Sequence, residues 1–229
     1  MRIAVISDVH GNAFALEAVL RDLKAQSPDL IVNLGDQVHG KANPRKAFEL
    51  QQELGATEVL GSAEPLLIGN DPLAEWLKTQ LSAESIQHLL NLPLTTTVLD
   101  GEILLCHGDL HSSSGHLLWS WQRGPYLTRG FQDLREHLCG VTARVILSGH
   151  THREGMTAID DHLVINAGAV SHQVDGDPRA RWVLLEKQRG RWLTDFRRVN
   201  YDQKEAACWV LSHAPDPGEE AQLLMKGGH

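Results

Sequence analysis

Four short polar groups close apolar runs in this 229-residue chain: Asp8-Val9-His10, Gly35-Asp36, His107-Gly108 and Gly149-His150-Thr151-His152. Carboxylates and imidazoles in this mixture suit a pair of divalent cations of hard to intermediate character. A cation pair draws its donors from distant parts of a chain, and loops at the carboxyl edge of an α/β sheet bring such parts together. Each group alone is ambiguous. Asp8 and His10 read equally as a turn aspartate and an exposed histidine, and Gly35-Asp36 is a common turn. The strongest single group is Gly149-His150-Thr151-His152, where two imidazoles separated by one residue can each coordinate a different ion. A histidine without a partner at a buried strand end is costly, and four such groups, each at a strand end, favour a metal centre.

The elements that must position these groups follow from periodicity. Ile3 to Ser7 is a continuous apolar run of the kind buried on both faces, and Leu16, Val19, Leu20 and Leu23 then recur at helical spacing. Leu30 to Leu34 is a second strand, Pro44 opens a helix running through Leu54, and Glu58 to Leu60 is a third strand. This βαβαβ rhythm implies right-handed crossovers and a largely parallel sheet. Asp71-Pro72 and Ser82-Ala83-Glu84 each start a further helix. Thr95 to Leu99 and Ile103 to Cys106 flank Asp100-Gly101 as a hairpin. A loop-rich stretch spans 110–130, a helix covers Phe131 to Leu138, and strands follow at hairpin-like spacing from Val145 to Phe196. Asp202 to Ser212 is a closing helix, and a mobile tail is expected from about residue 213. A parallel first half and an antiparallel second half fit an α/β fold, a four-layer α/β/β/α sandwich of two mixed sheets flanked by helices, in one domain over 1–229.

Composition narrows the function classes. The chain is 42% apolar and 22% charged, with a net charge of -8 and scattered Lys and Arg. A dedicated nucleic-acid surface is not expected, because such domains carry a basic stripe. An anionic substrate remains compatible where metal ions supply the local positive charge. No stretch approaches the ~20 apolar residues of a membrane span, and Asp8 interrupts the first run too soon for a secretory core. Cys106, Cys139 and Cys208 show no CxxC spacing, which fits free thiols in a cytoplasmic protein. Cys106 ends an apolar run and reads as a small buried residue rather than a ligand.

The order of these motifs resembles the calcineurin-like metallophosphoesterases, and most of all their small bacterial and archaeal members. Asp8-Val9-His10-Gly11-Asn12 resembles the family's opening. Gly149-His150-Thr151-His152, Val164-Ile165-Asn166-Ala167-Gly168-Ala169-Val170 and Asp175-Gly176-Asp177-Pro178-Arg179-Ala180 resemble its closing half. The resemblance runs from Met1 to about Ser212. It implies a first metal held by Asp8, His10, Asp36 and His152, and a second held by Asp36, His107 and His150, with Asp36 bridging. Two cations about 3.5–4 Å apart can activate a hydroxide and stabilise both oxygens of an in-line displacement. The donor set suits Mn above all, with Fe, Zn or Co as alternatives. The implied substrate is a small phosphate ester, a nucleotide among the candidates, and self-association into a homo-oligomer is a family expectation.

The chain departs from the family at one place. Where the family has Gly-Asn-His-Asp/Glu after the third strand, this chain has Gly61-Ser62-Ala63-Glu64. Ser62 offers a hydroxyl as a direct or water-bridged metal ligand in place of the Asn. Ala63 offers nothing in place of the His, and losing a general acid costs about 10²–10⁴ in rate. His39 is either a surrogate acid or an exposed loop histidine. Arg153 either pairs with a phosphate oxygen or lies at the surface. Asn70 beside Asp71 fits helix capping better than ligation. Asp109, with His111 on the same loop, either strengthens the second metal site or shapes a turn. Trp119 and Trp121 either stack a base or anchor the loop. Two functions follow: a phosphoesterase acting on a phosphodiester or activated monoester, or a non-catalytic binding module on the same fold, as in the retromer small subunit.

Overall fold

Ile3, Ala4, Val5 and Ile6 are all fully buried. They form β1 (Arg2–Ile6) in a computed structural model that describes residues 1–121 and 126–228. Strand alternation assigns each a different neighbour. Ala4 and Ile6 pack on Leu16, Val19 and Leu20 of α1 (Ala13–Gln26), while Ile3 and Val5 face a second sheet. The Asn12 side chain caps α1 by accepting from the Ala15 amide at 3.0 Å. The chain continues through β2 (Leu30–Asn33), α2 (Pro44–Gln52), β3 (Thr57–Glu58) and a 3-10 turn at Glu64–Ile68. Next come α3 (Pro72–Gln80), α4 (Ala83–Leu90), β4 (Thr95–Val98), β5 (Ile103–Cys106), β6 (Trp119–Trp121) and β7 (Tyr126–Thr128). Then follow α5 (Phe131–His137), β8 (Val145–Ser148), β9 (Glu154–Ile159), β10 (His162–Ala167), β11 (Ala180–Gln188), β12 (Arg191–Val199), α6 (Gln203–His213) and α7 (Gly218–Lys226).

Two five-stranded mixed sheets result, ordered β12-β11-β1-β2-β3 and β4-β5-β8-β10-β9. Their inner faces share one apolar core: Val5, Val32, Leu34 and Val183 from the first sheet meet Leu105, Val145, Leu147 and Ile165 from the second. The outer face of the second sheet, through Cys106, Ile146 and Val164, packs on Leu134 and Leu138 and on the 110–130 stretch. The four-layer α/β/β/α sandwich is therefore present. Among the described residues no helix is long and apolar enough to cross a membrane.

Three elements differ from the sequence expectation. The centre of the second sheet is parallel, with β5 beside β8 and β8 beside β10. The hairpin-like spacing misled because β9 is an excursion that pairs antiparallel with β10 at the sheet edge. Within the stretch 110–130, β6 pairs antiparallel with β7; residues 122–125 lie outside those described. The expected mobile tail is a docked helix: Ala221 and Leu224 of α7 are buried with Ala42 and Val210. Two apolar positions three apart are too short a signal to stand out beside terminal glycines.

Candidate metal centre

Asp8 and His10 follow β1, Asp36 follows β2, His107 follows β5, and His150 and His152 follow β8, so every candidate ligand leaves the carboxyl end of a parallel strand. Five of the six sit in left-handed backbone: Asp8 (φ 54°), His10 (46°), Asp36 (54°), His150 (68°) and His152 (57°). Such a conformation costs a non-glycine residue about 1–3 kcal/mol and persists only where its surroundings enforce it. Hydrogen bonds between the loops do so here: Asp8 N to Gly35 O (3.0 Å), His10 N to Asp36 O (2.9 Å), Gly149 N to His107 O (2.8 Å) and Ser171 N to Asp8 O (3.0 Å). Gly61 is required by close approach, since a Cβ there would lie 2.2 Å from Asp36 N and 2.3 Å from Asp36 Oδ1.

The six side chains form two clusters, Asp8 with His10 and His152, and Asp36 with His107 and His150, in each of which the donor atoms lie within 4.8 Å of one another. The clusters adjoin. Asp36 Oδ2 is 3.2 Å from His107 Nε2 and 3.7 Å from His10 Nε2, while Asp8 Oδ1 is 3.3 Å from His152 Nε2 and 3.8 Å from His107 Nε2. Three imidazoles donate their far nitrogen to a backbone carbonyl: His10 Nδ1 to His39 O (3.0 Å), His107 Nδ1 to Leu34 O (2.7 Å) and His152 Nδ1 to His172 O (2.5 Å). A carbonyl only accepts, so each Nδ1 carries the proton and each Nε2 turns inward, the arrangement of a metal-ligating histidine.

Electrostatics point the same way. Burial alone would raise the Asp8 carboxyl, but the His107 and His152 imidazoles outweigh it and hold it below its ordinary value. Burial is likewise overcome at Asp36 by His107 and His10. Burial pushes His10 down to about 3, whereas at His107 the Asp36 and Asp8 carboxylates overcome burial and lift it to about 10. The buried atoms Asp8 Oδ1 and His107 Nε2 have no hydrogen-bond partner. Orphaned polar atoms inside a protein are rare; these two belong to adjoining clusters of the right donor chemistry, and divalent cations fit them.

The other sequence candidates separate. Ser62 Oγ lies 3.2 Å from Asp36 Oδ2 and 3.3 Å from His150 Nδ1, within the second cluster. Ala63 is buried, and its amide donates to Asp36 Oδ1 at 2.7 Å. The imidazole of His39 is half-buried, which with nearby His172 holds it below its ordinary value against the pull of Asp36 and Asp71. Arg153 has a buried Nε without a partner and places its guanidinium 5.6 Å from the centre of the Tyr126 ring. Asn70 is exposed and Asp71 caps α3, accepting from the Leu73 and Ala74 amides. Asp109 shapes a turn through the amides of His111 and Ser112 (both 2.8 Å). Trp119 anchors its loop by donating to Arg153 O at 2.9 Å. Cys106 is buried, its thiol pushed up to about 12.

Three polar groups beside the clusters were given no role from the sequence. Glu64 is fully buried, accepts from the Asp36 and Gln37 amides (3.1 and 2.7 Å), and is raised to about 7 by burial and Asp36. Its place just after Ser62-Ala63 was the available signal. The His172 ring stacks on His10 with centroids 4.6 Å apart, and the His116 ring lies 5.2 Å from that of His150. Neither belongs to a recognisable spacing.

Comparison with known proteins agrees with this geometry. The uncharacterized protein MJ0912 of Methanocaldococcus jannaschii is 27% identical over 89% of each chain. A metallophosphoesterase from Sphaerobacter thermophilus superposes with a TM-score of 0.81 at 28% identity, covering 99% of this chain and 100% of that one. The hypothetical protein PH1004 of Pyrococcus horikoshii shares the fold with a TM-score of 0.80 at 20% identity, over 99% and 98% of the two chains. A sequence model of the calcineurin-like phosphoesterase superfamily domain matches residues 1–190. With two adjoining Asp/His clusters at the strand ends, the chain belongs to the calcineurin-like phosphoesterase superfamily.

Proposed function

We propose that this protein hydrolyses a phosphodiester or an activated phosphomonoester using two divalent transition-metal ions, with Mn favoured by the mixed Asp/His donors. The observation that carries the reading is the pair of adjoining clusters with Asp8 Oδ1 and His107 Nε2 unpartnered within them. Asp8, His10, Asp36 and His152 would hold one ion, and Asp36, His107, His150 and Ser62 the other. Bound there, two cations would lower the pKa of an attacking water and offset charge on the phosphoryl oxygens.

The chain's own residues do the rest. Asp36, hydrogen-bonded by the Ala63 amide and the Ser62 hydroxyl, is held rigidly between the two clusters. Arg153, directly after His152, is the proposed guanidinium for a phosphoryl oxygen. His39, whose carbonyl meets His10 Nδ1, is assigned the proton of the leaving oxygen, a role its lowered pKa confines to the acid side of neutrality. With no imidazole at Ala63, esters whose leaving group needs little protonation are the favoured substrates. Small nucleotide esters fall in this class.

The test is hydrolysis of bis(p-nitrophenyl) phosphate against p-nitrophenyl phosphate by metal-stripped protein with and without Mn. Diester turnover that returns with Mn supports the reading. Full metal occupancy with no turnover of either ester would replace it with the binding-module reading that Ala63 motivates.

A further inference from the structure

We infer that Glu220, on the C-terminal helix α7, is a positioning residue for the first ion site, acting through the two carbonyls that orient His10 and His152. The inference rests on the proposed reading of Asp8, His10 and His152 as an ion site.

The geometry is a short relay. Glu220 Oε1 accepts from the Lys41 amide at 2.6 Å and lies 3.4 Å from His172 Nε2, while the residue is only 8% exposed. One carboxylate thus ties two segments that are distant in sequence. The first is the loop 39–41. Its His39 carbonyl takes the Nδ1 proton of His10, and Gly40 packs so closely on His10 that a Cβ there would lie 2.0 Å from His10 O. The second is the turn at His172, whose carbonyl takes the Nδ1 proton of His152 and whose ring stacks on His10. His172 itself is in left-handed backbone (φ 56°), so the direction of its carbonyl depends on that strained turn being held.

Helix α7 is well anchored for this task. Ala221 and Leu224 are buried against α6, Lys41 Nζ donates to Asp216 O at 2.9 Å, and Gly176 N donates to Gly227 O at 2.8 Å. Among the described residues no comparable tie reaches the second cluster from α7: the His107 ring is oriented by Leu34 O, and the Asp36 loop by Glu64 and Ala63. The consequence is selectivity. Loss of the Glu220 carboxylate should loosen the two imidazoles of the first site and leave the second unaffected.

The experiment is calorimetric titration of the metal-stripped full chain with Mn. Glu220→Ala and Glu220→Gln are each measured in three backgrounds: otherwise unaltered, His107→Ala to cripple the second site, and His152→Ala to cripple the first. Orienting partners of metal-ligating histidines typically contribute about 10- to 100-fold in affinity. Glu220→Ala should weaken Mn binding by that factor in the His107→Ala background and leave it unchanged in the His152→Ala background. Glu220→Gln, which keeps one acceptor oxygen for the Lys41 amide, should recover part of the loss and carries the test alone should the alanine variant not fold. Exposed Glu219→Ala on the same helix should change nothing. Equal weakening in both backgrounds, or none in either, overturns the inference. Failure of the otherwise unaltered protein to bind two ions would instead overturn the reading of the centre itself.

Discussion

His10 and His152 turn their Nε2 atoms to within 3.1 Å of each other while both Nδ1 protons are committed to backbone carbonyls. Two neutral rings so placed would oppose lone pair to lone pair, an arrangement that a positive charge between them relieves. The carboxylates around the two clusters favour a proton in that role. His152 is raised despite its burial, chiefly by the Asp8 carboxylate, and His107 is lifted to about 10 by Asp36 and Asp8. A cation entering the second cluster must displace the His107 proton.

Metal binding is therefore expected to release protons at neutral pH. Below about 10, where His107 is protonated in the metal-free protein, affinity at the second cluster should rise about tenfold per pH unit for each proton released. Above that value it should level off. Calorimetry at pH 7 in buffers of different ionisation enthalpy reads the proton count directly, and a count of zero would contradict the assignment.

Asp36→Asn should lower kcat by about 10³-fold or more, because Asp36 is the carboxylate nearest the ring nitrogens of both His10 and His107. The Mn stoichiometry of the variant should fall below that of the unaltered protein. Full occupancy by atomic absorption together with full turnover would show that Asp36 does not link the sites.

Ser62→Ala should weaken the second ion about tenfold, since the hydroxyl sits between Asp36 and His150. Ala63→His should raise turnover of unactivated phosphomonoesters by about 10²-fold if a missing proton donor limits the reaction. The comparison is kcat on an alkyl phosphate against kcat on an aryl one. A rise of equal size on both would point away from leaving-group protonation.

Glu64 offers a test of stability. Glu64→Ala leaves the Asp36 and Gln37 amides buried without acceptors, an expected loss of about 1–3 kcal/mol for each amide. The carboxyl is also raised from 4.5 to about 7 in the fold, so folding favours its protonated form. That contribution is complete below pH 4.5 and is lost as pH rises through 7. Urea denaturation of the metal-free protein should show Glu64→Gln gaining on the unaltered chain across that window. A constant difference would mean that Glu64 does not titrate there.

Much of this architecture was legible because buried parallel strands write themselves as continuous apolar runs, and Ile3 to Ile6 and Val145 to Ser148 are such runs. The candidate ligands were legible because each closely follows a buried strand. Strand partnership was not: nothing local in Val145 to Leu147 tells that it lies parallel to Leu163 to Ile165. Nor could spacing reveal Glu220, which meets His172 across 48 residues of chain and does so from a helix with only three buried residues. Groups that act on the ligands from behind are set by tertiary contact, and no period records them.

Each cluster takes donors from both sheets. Asp8 and His10 come from the first and His152 from the second; Asp36 comes from the first and His107 and His150 from the second. The apolar core between the sheets resists separation but has no direction of its own, so it tolerates small sliding. Coordination bonds have direction and length, and they tolerate very little. An ion in either cluster would therefore act as a rivet through the two layers, fixing their shear. Conversely, any mutation deep in that core which shifts one layer against the other would be felt first as lost metal, well before it is felt as lost fold.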